Sequence, residues 1–213
     1  MDEPRGLRER KKLETRHRLG DVAARLFAEH GYDAVSVSDV ARAAEVADQT
    51  VYNYFPSKPE LVLDRADEIL ERTRRVVAAR ARDQTPAGAV RVLVHEDIDR
   101  FRDADPTLAR GEFPAQSLQS DTLRRFALEF RDNQAEAISR AIAETDPEIH
   151  PLVARAHASA LVAVIHAITV RIGAAIIAGE ARESAAAGMR RDADAALADA
   201  AENFRATKAR ASA

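Results

Sequence analysis

Cysteine is absent from all 213 residues, which excludes disulfides, zinc ribbons, thiolate catalysis and iron–sulfur clusters together. Tryptophan is also absent, aromatic residues total 5%, and glycine and proline number eight each. So few turn formers beside 45 alanines argue for helix throughout and against an all-β fold. Neither sign of charge dominates: 32 basic and 35 acidic residues leave a net charge of −3, so no whole-protein basic field is available for nucleic acid. The opening residues MDEPRGLRERKKLE hold no apolar stretch of the signal-peptide kind, so a cytoplasmic location is expected. What the chain does have is 46% hydrophobic and 31% charged residues, the balance of a soluble globular protein of one large or two small domains.

Enzymatic motifs are missing as well. There is no glycine-rich phosphate loop, no His-Glu-x-x-His and no Gly-x-Ser-x-Gly, and His17, His30, His95, His150, His157 and His166 contain no i, i+4 pair. The expectation is a non-enzyme without metal or cofactor. A membrane reading arises for residues 158–178, ASALVAVIHAITVRIGAAIIA, about the ~20 residues that span a bilayer. Arg171 and His166 inside it, and the weak drive of alanine, favour instead a helix buried in protein, with neighbours supplied by a second subunit.

Charge and periodicity divide the front of the chain. Residues 1–20 hold seven cations (Arg5, Arg8, Arg10, Lys11, Lys12, Arg16 and Arg18) against four acids, and we read 1–15 as a basic N-terminal arm. Leu19, Val22, Ala23, Leu26 and Phe27 form one helical face that ends at His30-Gly31. Ser36, with Asp39 three residues on, starts a short helix carrying Val37, Val40, Ala41 and Ala44. A third helix, near DQTVYNYF, points Val51 and Phe55 inward and leaves Gln49, Thr50, Tyr52 and Asn53 elsewhere. Pro56 stops it, and Ser57-Lys58-Pro59-Glu60 reads as a capping box opening a long helix to about residue 82. Further helices are expected at 86–104, near Thr107, at 120–144, 150–179 and 184–208; the last, with Gly188 inside a mostly alanine stripe, has the poorest pattern.

Two helices joined by a short turn, the second polar outward and anchored inward, meet the requirement of a helix-turn-helix in a major groove. Gln49, Thr50 and Asn53 then face bases, the Tyr52 and Tyr54 hydroxyls reach phosphates, and Ser36 and Lys58 stand at helix starts that favour a phosphate oxygen. Each has a plainer role too. Ser36 and Ser57 cap helices with or without DNA, the tyrosines equally fit half-buried packing, and Lys58 a solvated charge.

The segment GYDAVSVSDVARAAEVADQTVYNYFPSKPEL resembles the DNA-binding segment of TetR-family transcriptional regulators over about residues 16–61. The resemblance rests on Leu26-Phe27, Gly31-Tyr32, Ser36, Val40-Ala41, Thr50-Val51-Tyr52, Tyr54-Phe55, Lys58 and Leu61. It implies an all-α chain: a three-helix helix-turn-helix domain over 16–60, then a helical effector-binding and dimerisation bundle over 61–213. It also implies phosphate contacts from Ser36, Thr50, Tyr52, Tyr54 and Lys58, with Gln49 and Asn53 reading bases. The chain departs from the family's Gly-Val-Ser turn with Glu45-Val46-Ala47, so Asp48 is expected to replace the missing helix cap.

The implied partners are double-stranded DNA with a palindromic operator, a second copy of the chain, and a small effector. Ala163, Ala167 and Ala174 would permit close helix approach between copies. Phe101, Phe113, Phe126 and Phe130, with His95, Asn133 and His166, are candidates to line the effector pocket, whose apolar character suggests a lipophilic or acyl-like molecule. The expected function is a repressor released from its operator when the effector tilts the fourth helix; an effector-independent DNA-binding dimer, acting as activator or architectural factor, is the alternative.

Overall fold

The computed structural model describes residues 6–63 and 66–211; Asp2, Glu3 and Arg5 of the expected basic arm lie outside them. Among the described residues there are ten α-helices and one 3₁₀ turn, and no strand. α1 (Leu7–His30), α2 (Val37–Ala43) and α3 (Asp48–Tyr54) form the head. α4 (Ala66–Ala78), α5 (Pro86–Asp103), α6 (Pro106–Gly111), α7 (Phe113–Gln116), α8 (Asp121–Thr145), α9 (Pro151–Ala178) and α10 (Arg182–Ala211) form the body.

The starts are set by local chemistry. Ser36 accepts from Asp39 N while Asp39 takes the Ser36 N–H, a complete capping box. Thr85, Asp105 and Ser120 each cap with a side-chain oxygen, and proline follows at the first turn of α5 and α6. Gly179, at φ 67°, closes α9 in the left-handed conformation that glycine adopts without cost.

Two expectations are corrected. Residues 57–82 are not one helix: Lys58–Leu61 is a 3₁₀ turn and α4 starts only at Ala66. The Ser57 hydroxyl donates to the Glu60 carboxylate, 2.9 Å away, instead of accepting a backbone N–H, so the box is half formed. The described part of the basic arm is likewise not a separate tail, because α1 already begins at Leu7. The poorly patterned last helix is continuous for 30 residues, with Met189, Leu197 and Phe204 buried against the body.

The hydrophobic interior has two parts. One gathers Leu19, Phe27, Val40, Val51 and Phe55 of the head with Leu61, Val62 and Leu123, so the head's core runs past residue 60 and takes a plug from α8. The other joins α4, α5 and α8 to α10. Asp146, 2% exposed, ties its corner together by pairing with Arg80 and Lys208. α9 buries Ala154, Ala158, Leu161, Val162, Ile168 and Ile172 against the body, and its opposite face is exposed. It is long and apolar enough to cross a membrane, yet one whole side of it is core.

Candidate nucleic-acid interface and its connection to the body

α3 is held from below. Val51 and Phe55 are 0% and 1% exposed, so the helix rests on the head's core through two side chains one turn apart. Arginines from α1 then close the helix ends: Arg18 donates to Ala44 O at the end of α2 (3.1 Å), and Arg16 donates to Tyr54 O while stacking 4.5 Å over the Phe55 ring. Two cations of the basic front thus serve the head's own backbone.

The outward face is polar. Gln49 and Asn53 are exposed and joined to each other, Gln49 Nε2 donating to Asn53 Oδ1 at 3.2 Å along one side of the helix. Tyr52 is 45% exposed, Thr50 and Tyr54 are half-buried, and Ser36 is exposed at the start of α2. Lys58 is half-buried with its ammonium 4.0 Å above the Tyr32 ring; burial lowers its pKa, against the pull of Asp33. The seven sequence-selected residues fall on α2, α3 and the turn after it, in one continuous region.

The turn before α3 corrects one expectation. Asp48 is the first residue of the helix, not its cap; the cap position belongs to Ala47, which offers no side-chain bond. The Asp48 carboxylate instead accepts from Ser38, lashing α3 to α2. Glu45, where a permissive glycine is missing, takes φ 55°. α3 therefore starts in its regular register at the expense of one strained residue.

Beneath the head lies a cavity of about 440 Å³, walled by α1 (Arg16, Gly20, Ala24), α4 (Ile69, Thr73), α5, α6, α8 and α9. Of the residues named as pocket candidates, Phe101, Phe113, Phe130 and His166 line it. His95, Phe126 and Asn133 do not. On α8 the lining residues are Ala127, Phe130, Arg131 and Gln134, a stripe that leaves Asn133 exposed and Phe126 edge-on to Phe113. His95 turns to α10, its Nε2 3.0 Å from Asp194 Oδ1. The wall is also more polar than the apolar expectation, since Arg72, Asp97, Arg100, Glu112, Arg131 and Gln134 face it.

Two features of this seam escaped sequence reading. Gln116, 3% exposed, accepts from Tyr32 N (2.8 Å) and donates to Phe27 O (3.1 Å) and Arg110 O (2.7 Å), bridging the end of α1 to α6 and α7. Gly111 lies so close to α1 that a Cβ there would stand 1.7 Å from Ala24 O, and at Gly173 one would stand 2.0 Å from Pro114 O. The α6–α7 segment is thus wedged backbone to backbone between the head and α9. An unbroken glycine in a helical pattern was the available signal for close approach.

A firmly seated, outward-polar helix on a three-helix head, joined by a tight seam to a hollow helical body, is the architecture of a helix-turn-helix head on an all-α body. Residues 19–64 match the profile described as bacterial regulatory proteins, tetR family. The chain is 32% identical over 100 residues to the HTH-type transcriptional regulator TcmR of Streptomyces glaucescens, covering 47% of this chain and 44% of TcmR. It is 30% identical over 131 residues to the HTH-type transcriptional regulator BetI of Agrobacterium fabrum, covering 59% and 64%. The chain therefore spans about half the length of these relatives, which are regulators and not enzymes. In fold it matches the transcriptional regulator FadR of Bacillus subtilis, solved with stearoyl-CoA, at a TM-score of 0.56 and 18% identity over 87% of this chain and 97% of that one.

Proposed function

We propose that the protein is a homodimeric, sequence-specific DNA-binding repressor whose hold on a palindromic operator is released by a small molecule taken into the cavity beneath α1. The observation that carries DNA reading is the exposed face of α3, with Gln49 and Asn53 on a helix clamped by Val51, Phe55, Arg16 and Arg18. In this reading Gln49 and Asn53 meet base edges, while Ser36, Thr50, Tyr52, Tyr54 and Lys58 touch phosphates and set register. Partner DNA assigns the protein to the cytoplasm of its cell.

Release is favoured over the effector-independent alternative because the cavity wall is shared: α1 of the head and α5, α8 and α9 of the body all face it. A ligand there pushes directly on the element that carries the reading helix, and the wedge of α6 and α7 transmits the push to the opposite side of α1. The fourth helix lines the cavity through Ile69 and Thr73, so its tilt is one part of the motion. A preference of ~1.4 kcal/mol for the non-binding form is enough to change operator occupancy tenfold.

Footprinting of the purified protein on fragments of its own genome tests this. A protected, two-fold symmetric site of two half-sites about one helical turn apart is expected. Absence of any protected site at nanomolar protein overturns the reading.

A further inference from the structure

The cavity wall carries four arginines, and three are answered. Arg16 serves Tyr54 O and Phe55, Arg72 pairs with Glu96, and Arg100 pairs with Asp97 at 3.2 Å. Arg131, half-buried on α8, has no hydrogen-bond or ion-pair partner among the described residues. Of the acids near it on α8, Asp132 and Glu136 both pair with Arg155 of α9, and Glu129 is exposed. Of the three cavity carboxyls, Asp97 pairs with Arg100, Glu112 lies in the field of Arg100 and Arg182, and Asp21, on α1, acts on Glu112 as a like charge.

An unpaired guanidinium on the wall of this mixed chamber is best answered by an oxyanion or water, and a carboxylate is the partner its planar fork fits best. His166, on α9, faces the same chamber, and burial together with the charge of Arg131 lowers its pKa, so it stands there as a neutral polar group. From Ile165 to Ile176 the α9 wall runs about 16 Å at 1.5 Å per residue. Along it Ile165, Ile172 and Ile176, together with Phe113 and Phe130 of the same lining, offer apolar surface, and the Thr169 hydroxyl between them is spent on Ile165 O.

We propose that the effector is a monocarboxylate on an apolar body, its carboxylate paired with Arg131 and its body laid along Phe130, Ile165, Ile172 and Ile176 toward α1. This rests on the reading of the cavity as the effector site and names the chemical class it takes.

Titration calorimetry of the full chain, without DNA, tests it with decanoate, decan-1-ol and decylammonium, and with 2-naphthoate to separate chain-like from ring-like bodies. One carboxylate or both should bind, at least tenfold more tightly than the alcohol, with the ammonium weakest. Arg131→Ala should abolish the preference for decanoate over decanol and leave decanol affinity unchanged. Arg131→Lys should keep part of it, and Arg125→Ala, an exposed cation of the same helix, should behave as wild type. Melting curves of each variant establish that it is folded. The proposal is overturned if neither carboxylate binds, if alcohol or ammonium binds as tightly, or if Arg131→Ala keeps the preference. Decanoate bound through Arg131 without release of operator DNA would sink the release reading and leave this one standing. Release by a ligand indifferent to Arg131 would do the reverse.

Discussion

Glu45 holds a left-handed backbone, φ 55°, at the turn into α3. A side chain in that region costs on the order of 1–2 kcal/mol, part of which glycine gives back as entropy. Glu45→Gly should therefore stabilise the protein by about 0.5–1 kcal/mol, raising the melting temperature by about 2 °C, whereas Glu45→Ala should not. The gain belongs to the head. Lys58 and Asn53 separate the two proposed kinds of DNA contact. In the proposed contact Lys58 would leave its seat on Tyr32 to meet a phosphate, so Lys58→Ala should weaken binding to every sequence and lower the salt slope by about one. Asn53→Ala should instead relax base preference at one position in each half-site, with the salt slope unchanged. Affinities over a salt series, on operator and scrambled DNA, distinguish them. These residues were readable from sequence because local rules govern them: helix phase exposes Asn53 and Gln49 and buries Val51. The Asp48 cap was misread, since nothing local reveals that Ser38 claims its carboxylate.

Between the head and the body, short elements do what long ones do not. α6 and α7 together are ten residues, yet Gly111 meets α1 without room for a methyl group and Gln116 satisfies three backbone groups of the seam. Gln116→Leu leaves those groups unpaired in a buried place and should cost about 2–3 kcal/mol. Its distinguishing effect is on coupling: operator affinity without effector should survive, while the change in affinity on adding effector shrinks. Comparing Kd with and without ligand for wild type and variant measures this directly. A second element-level tie is Asp146. Burial opposes its ionisation, but hydrogen bonds from Lys208 and Thr145 and the charge of Arg80 outweigh it and hold the carboxyl below the ordinary aspartate range. Its stabilisation is thus full above about pH 4 and is lost as pH falls through the lowered pKa. Asp146→Asn should lower stability at neutral pH by about 3 kcal/mol and flatten the acid limb of the stability curve. Helix positions were largely foreseeable from caps and prolines; these ties join residues 60 to 90 apart, which no periodicity reports.

The molecule as a whole is left with one large face to account for. α9 is about 42 Å long at 1.5 Å per residue, and its side away from the body presents Leu152, 71% exposed, then Ala156, Ala160, Ala163, Ala167, Ala174 and Ile177. Monomers seldom display an apolar surface of that extent. The charge within it, Arg171, is already paired with Asp192 of α10 at 3.2 Å, so it needs no counter-ion from a second chain. A two-fold partner laid along this face would bury it, and small side chains would let the two helices approach closely. The same operation supplies the second reading helix, without which one α3, seven residues long, addresses a single half-site. Ala163→Glu and Ala167→Glu place charge on exposed positions of α9, so each protomer should keep its helical content. Light scattering should then report monomers, and operator affinity should fall by orders of magnitude toward the level on scrambled DNA. A charged variant that remains a dimer with undiminished affinity would put the interface elsewhere, and with it the spacing of the two half-sites.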